Sequence, residues 1–253
     1  MLADELIELE RSPREVAPFS ERYPGLTPAG GYRAAMDLHR HRLAQGWMPV
    51  GRKIGFTNRT LWPRYGVHEP MWGTIYDRTL ILASGKQASV SLEGLVQPRI
   101  EPEICFKLRA APRPGRLAEA IEWMAHSVEI VQCRHPGWKV TIADCTADNG
   151  LHGRLVVGAP LPLADPDALA RVEAKLFRDG KLVDQGTGAN VLGSPLLSLG
   201  YLVELLAREP EAPPLTAGEI VTTGVLTDAH PVAPGETWRT ELTGLQGLTI
   251  RFA

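Results

Sequence analysis

The chain has 253 residues, long enough to bury a sizeable core, with 44% hydrophobic and 22% charged residues, the make-up of an ordinary globular protein. A formal net charge of −2, with no basic run and no interleaving of basic and aromatic residues, excludes an electrostatic case for nucleic acid or an anionic membrane surface. Three cysteines (Cys105, Cys133, Cys145) are too few and too unevenly spaced for a disulfide framework or a zinc knuckle, and read as small buried hydrophobes in a reducing cytoplasm.

The N-terminus, MLADELIELERSP, is acidic and helical in pattern, without the positive start and apolar middle of a signal peptide. Helices are predicted over residues 2–11 and 28–46, the second with Pro28 and Gly46 as start and stop signals. From about residue 50 short apolar-alternating runs take over. Strands are predicted at 51–56, 79–83, 99–108, 127–133, 154–158, 170–177, 219–223 and 238–252. Asp179-Gly180 reads as the centre of a hairpin turn. Two further helices are predicted at 116–126 and 195–207, the latter starting on Pro195. Proline-rich stretches at 109–115, 158–166 and 209–217 read as surface connections, and no apolar stretch is taken to approach membrane-spanning length. The sum is an α+β protein: a helical N-terminal region over 1–50 and a strand-rich body over 51–253. Strands do not alternate with helices, which argues against a doubly wound parallel sheet.

Several chemistry-bearing motifs fail. GTGANV at 186–191 lacks the third glycine of a dinucleotide loop, GSP at 193–195 is no nucleophile elbow, and neither a phosphate loop nor a His-x-x-x-His pair occurs. The informative stretch is RIEPEICFKL at 99–108. Ile100, Pro102, Ile104, Phe106 and Leu108 form one face, and Glu101 and Glu103 lie together on the other, about 7 Å apart at Cα. Two carboxylates so close repel unless a cation joins them. Either the pair faces water or is neutralised by Lys107 and Arg99, or it is part of a site. Pro102 removes a ladder donor and suggests an edge or bulge. Glu129, between Val128 and Ile130 in a second apolar run, calls for a partner of its own. If Glu101, Glu103 and Glu129 converge, they make a hard, all-oxygen site suited to Mg2+ or Mn2+.

The chain resembles the fumarylacetoacetate hydrolase superfamily, and within it the branch of 2-keto-4-pentenoate hydratases and 4-oxalocrotonate decarboxylases. The resemblance runs in order through GRKIGFT (51–57), PRIEPEICF (98–106), the stretch from EIVQC to RLVVG (129–158), GTGANVLGSPLLSLGYLVELL (186–206) and AGEIVTTG (217–224). It implies a body of curled mixed sheets with the N-terminal helices packed outside. It also implies that Glu101, Glu103 and Glu129 bind the metal, that Lys53 is the active-site lysine, and that Asp77 takes part in proton transfer. On residues alone Lys53 equally fits a solvated strand position, and Asp77 a turn. Where the branch often carries small hydroxyl residues, this chain has Gly150, Leu151 and His152; His152 is either a replacement polar group near the substrate, with a catalytic role, or a loop histidine. Val225 departs in the same way. His135, Trp138 and Trp72 read as loop or packing residues.

The activity implied is a hydro-lyase of aromatic-compound catabolism, adding water to a 2-oxo-enoate derived from a 2-hydroxydienoate. Decarboxylation of a 2-oxo-enedioate, or C–C hydrolysis of an acylpyruvate, is the alternative, and a non-catalytic assembly partner a more distant one. The expected partner is a small 2-oxo acid, with no nucleic acid and no membrane. A cytoplasmic homo-oligomer is implied, with association to a pathway partner enzyme conceivable.

Overall fold

The computed structural model describes residues 1–210 and 212–253. Three helices come first, α1 (Leu2–Arg11), α2 (Phe19–Arg22) and α3 (Pro28–Ala44). Leu2, Leu6 and Leu9 recur at helical spacing and are buried on one face of α1. The Thr27 hydroxyl oxygen caps α3 by accepting the Gly30 N–H at 3.1 Å, with Pro28 at the first helical position.

The body follows as β1 (Pro49–Gly55), α4 (Trp62–Tyr65), β2 (Met71–Tyr76), β3 (Leu80–Leu82), β4 (Gln87–Val90), β5 (Arg99–Leu108) and β6 (Ile121–Val131). It continues with α5 (Ile142–Ala147), β7 (His152–Val157), β8 (Glu173–Arg178), β9 (Lys181–Thr187) and α6 (Pro195–Arg208). The last strands are β10 (Ile220–Thr222), β11 (His230–Pro231), β12 (Thr237–Leu242) and β13 (Thr249–Phe252). A large mixed sheet has the order β2-β1-β10-β5-β6-β7-β3, with β11 beside the start of β5; a smaller one has the order β4-β13-β12-β8-β9. The α+β reading therefore holds. At the β8–β9 hairpin Asp179 and Gly180 both have positive φ (47° and 82°), the backbone that a two-residue turn of this kind requires.

The two faces of β5 go to different places. Ile100, Ile104, Phe106 and Leu108 are buried in apolar clusters with α6 and with the smaller sheet. Arg99, Glu101, Glu103 and Cys105 point the other way. On that second face one half is apolar, built from Ile75, Cys105, Ala125, Leu155, Val157 and Ile220, and the other half carries the charged residues. The N-terminal helices share a small core with α5 through Leu6, Leu9, Phe19, Leu38 and Ala147. Asp144 of α5 accepts the Ser20 N–H at 2.7 Å and its hydroxyl at 2.8 Å.

Several expectations need correction. Residues 116–126 are not a helix: a single 3-10 turn covers Leu117–Ala120, and β6 starts at Ile121. The pattern RLAEAIEWMAH has helical spacing, but pairing along the length of β5 overrides it. Strand β2 escapes an alternation test because all six of its residues are buried. The run at 238–252 breaks into two strands around 243–248. Gly188–Arg208 is also long and apolar enough, by length and composition, to span a membrane. Only Pro195–Arg208 is α-helix, however, and Leu199, Leu202, Leu205 and Leu206 are buried in the core.

His126 on β6 ties the two sheets together. Its Nδ1–H donates to the Glu103 carbonyl at 2.8 Å, and its Nε2 accepts from the Thr240 hydroxyl at 2.7 Å. Burial pushes its pKa down to about 4, so the folded protein keeps it neutral where the unfolded chain takes up a proton. Stability is therefore present above pH 6.5 and lost as pH falls towards 4, by about 3 kcal/mol for a shift of this size. Urea unfolding at pH 7 and pH 4.5 is expected to show that loss in the wild type and a smaller one in His126→Asn; equal pH dependence would contradict it.

Candidate metal centre and active site

Strand register brings the carboxylates together. Glu101 lies directly opposite Glu129, and Glu103 opposite Ser127, so all three acids share one face of the β5–β6 pair. Carboxylate oxygens of Glu101, Glu103 and Glu129 lie within 4.8 Å of one another. Lys53 arrives from β1, where it pairs with Thr222 of β10, itself opposite Cys105 of β5, which puts it on the same face. Its Nζ stands 3.2 Å from Glu129 Oε2 and donates to the Gly150 carbonyl at 3.0 Å. Lys53 is 2% exposed, and Glu103 and Glu129 are 0% exposed, so the charges compensate one another without water.

Pro102 opens the sheet where the site needs it. Strand β10 leaves β5 after Thr222–Cys105, and β11 rejoins it only at Ile100. Between them the chain bows outward, with the Leu226 N–H reaching the Pro102 carbonyl at 2.8 Å. The missing N–H of Pro102 falls in this gap, beside the loop that carries Gly224 and Val225.

The opposite wall is the loop after α5. Asn149 mimics a strand against β2, accepting the Thr74 N–H at 2.8 Å and donating to the Thr74 carbonyl at 2.9 Å. Asn149, Gly150 and Leu151 have φ of 51°, 65° and 61°, a run of left-handed backbone that non-glycine residues rarely adopt. The approach is so close that a Cβ on Gly73 would sit 2.2 Å from the Asn149 carbonyl oxygen. This strained turn aims the Gly150 carbonyl at Lys53.

Titration behaviour follows from burial and crowding. Burial pushes Glu101 up to about 7, with Lys53 opposing the shift and Glu129 adding to it. Burial, then Glu129 and Glu101, lift Glu103 well above the carboxylate range. Glu129 goes the other way: burial would raise it, but Lys53 and His152 outweigh burial and hold it ionised. Burial alone would lower Lys53; the three glutamates overcome it and keep the ammonium charged.

His152 lies in the cluster, its Nδ1 2.8 Å from Glu129 Oε1. Asp77 does not. It sits past the far end of β2, exchanging backbone and side-chain hydrogen bonds with Met48, both at 2.9 Å. Gly73 is the residue opposite Lys53, so Asp77 is roughly 13 Å further along the strand. This matches the turn alternative. Lys107 donates to the Gly218 carbonyl, and the Arg99 guanidinium stacks 4.1 Å from the Trp138 ring centre; neither makes a direct ion pair with the glutamates, though the Arg99 charge opposes the rise of Glu101. Trp138 thus lines the pocket together with Arg99, Phe56, Met71, Leu151 and Val225. Trp72, by contrast, stacks on Tyr32, and the buried His135 bonds the Val16 carbonyl.

Sequence reasoning missed Thr222 and Gly224. The Thr222 hydroxyl and the Gly224 N–H (2.9 Å) both donate to Glu103 Oε2. The only signal was the unusual TTG after an apolar strand. They leave Glu103 Oε1 buried with no hydrogen-bond partner, while Glu129 Oε2 has only its ion pair with Lys53. Leaving the Glu103 oxygen bare in the interior is costly unless something positive meets it. Three acids against one ammonium leave room for a dication, and an all-oxygen donor set suits a hard one. The residues present fit a divalent metal.

No family model matches the chain. Among curated proteins it is 32% identical to a 2-hydroxyhexa-2,4-dienoate hydratase of Comamonas testosteroni, over 98% of this chain and 94% of that one. It is 30% identical to a 4-oxalocrotonate decarboxylase of Pseudomonas sp. (strain CF600), over 99% and 95%. Among solved structures, a 4-oxalocrotonate decarboxylase from Pseudomonas putida G7, complexed with magnesium and adipate, has a TM-score of 0.91 at 30% identity and covers 100% of this chain and 96% of that one. A fumarylpyruvate hydrolase from Pseudomonas aeruginosa, in complex with Mn2+ and pyruvate, shares the fold at a TM-score of 0.61 and 15% identity, with 81% of this chain and 90% of that one covered. The chain belongs to the family of 2-keto-4-pentenoate hydratases and 4-oxalocrotonate decarboxylases, and it has the fold of the fumarylacetoacetate hydrolase proteins.

Proposed function

We propose that the protein is a divalent-metal-dependent hydratase that converts a 2-hydroxydienoate, through its 2-oxo-3-enoate tautomer, into a 4-hydroxy-2-oxo acid. The observation that carries the reading is the buried cluster of Glu101, Glu103, Glu129 and Lys53, with one Glu103 oxygen left bare. Glu101, Glu103 and Glu129 would hold the ion, Mg2+ or Mn2+. When bound, it supplies Lewis-acid polarisation of the substrate's 2-oxo group.

Lys53 is the proton carrier in this reading. Its ammonium is held charged beside the pocket and can protonate the dienoate carbon, taking back the enol proton so that tautomerisation is balanced. Water then adds its hydroxyl to C4 and a proton to C3. Val225, Leu151, Met71 and Phe56 give the pocket an apolar wall that suits a short hydrocarbon tail and keeps stray water from the reacting carbons. The reading carries with it a cytoplasmic, homo-oligomeric enzyme of aromatic-compound catabolism.

One observation favours the decarboxylase alternative. Arg99 lines the same pocket and forms no ion pair among the described residues, so it can receive a second carboxylate. The two reactions separate in one assay. With Mg2+ present, 2-hydroxypenta-2,4-dienoate is expected to lose its ultraviolet band, and EDTA to stop the loss. A band that persists while 4-oxalocrotonate releases CO2 would decide for decarboxylation.

The residue roles separate as well. Lys53→Met is expected to lower kcat by about 10²–10⁴-fold, the usual worth of a positioned acid–base group, while Mn2+ binding persists. Glu103→Gln is expected to lose both. Activity retained in Lys53→Met would remove the lysine from the mechanism.

A further inference from the structure

We propose that His152 is a positioning residue: its Nδ1–H pins one oxygen of Glu129 so that the other alone faces the metal, and Thr79 fixes the imidazole in turn. The proposal rests on the metal-site reading above and says which side chain sets the geometry of one ligand.

The hydrogen inventory orders this chain of contacts. A carboxylate that ligates a metal can only accept, so the 2.8 Å contact from Glu129 Oε1 places a proton on His152 Nδ1. In the neutral imidazole a proton on Nδ1 leaves Nε2 as an acceptor. Thr79 Oγ1, 2.9 Å from Nε2, then donates its hydroxyl proton there, while accepting the Tyr76 N–H at 3.1 Å. The Tyr76 carbonyl, 3.0 Å from the same hydroxyl, is the competing acceptor. His152 and Thr79 are both buried.

The result matches what Thr222 and Gly224 do at Glu103. There Oε2 is held and Oε1 is left bare; at Glu129, Oε1 is held and Oε2 is left facing Lys53. Each of the two fully buried acids thus offers one oxygen. At Glu129 the holding contact to Oε1 comes from His152 alone among the described residues. Removing it frees the carboxylate to rotate and present either oxygen, or both, to Lys53 or to the ion.

Mn2+ titration calorimetry on the purified chain, with thermal unfolding of the same metal-free samples, tests this. His152→Asn keeps an N–H donor where Nδ1 lies and is expected to bind Mn2+ within about 3-fold of wild type. His152→Ala removes the donor and is expected to bind at least roughly 10-fold more weakly, as for other residues that orient a metal ligand. Thr79→Val keeps the ring and its packing but removes the donor to Nε2; a weakening of about 3-fold or more is expected, and this variant carries the test if His152→Ala does not fold. Wild-type affinity in folded His152→Ala or Thr79→Val, or equal losses in His152→Asn and His152→Ala, would overturn the proposal. Failure of the wild type itself to bind Mn2+ would instead overturn the metal-site reading on which it stands.

Discussion

Three carboxylates on one face of a buried sheet repel one another, and each would rather be hydrated. That conflict organises the rest of the structure. Lys53 supplies one opposing charge at 3.2 Å, and the protein meets one oxygen each of Glu103 and Glu129 with hydrogen-bond donors. What remains is a shortfall: a bare oxygen on Glu103, and glutamates whose protonation is favoured by burial. A hard dication would resolve the shortfall and let the fold tolerate so polar a face inside so apolar a sheet.

Everything that shapes the face serves this arrangement. Register alone sets Glu101 against Glu129, and a slip of one residue would turn all the acids to the apolar side. The gap at Pro102 admits the Gly224 loop, and the strained turn at residues 149–151 admits the Lys53 contact. The N-terminal helices matter indirectly. They pack on α5, which leads into that turn, so a region with no residue in the cluster still helps to place the Gly150 carbonyl.

Much of this was legible beforehand. The alternation in RIEPEICFKL showed that Glu101 and Glu103 share a face, because period-two patterning survives whenever the two faces of a strand meet different surroundings. The lone Glu129 in an apolar run needed a partner, and it has two, Lys53 and His152. Strand β2 was invisible because both of its faces are buried. The start of β6 was misread because RLAEAIEWMAH satisfies helical spacing and only its long-range partner decides otherwise. Thr222 and Gly224 lie more than 100 residues from the acid they hold, a separation that no local pattern reports. Asp77, placed near the chemistry by resemblance, sits at the end of β2 instead, bonded to Met48.

Membership of the family leaves the choice among its reactions to the pocket: an apolar wall with Val225 and Leu151 on one side, and Arg99 stacked on Trp138 on another. All of those choices presuppose one cation at the meeting point of the three acids. Crystals grown with Mn2+ and measured at its absorption edge address that point directly. The account predicts one strong anomalous peak per chain, bounded by Glu101, Glu103 and Glu129. A map with no peak there, or with its strongest peak on another part of the chain, would contradict it.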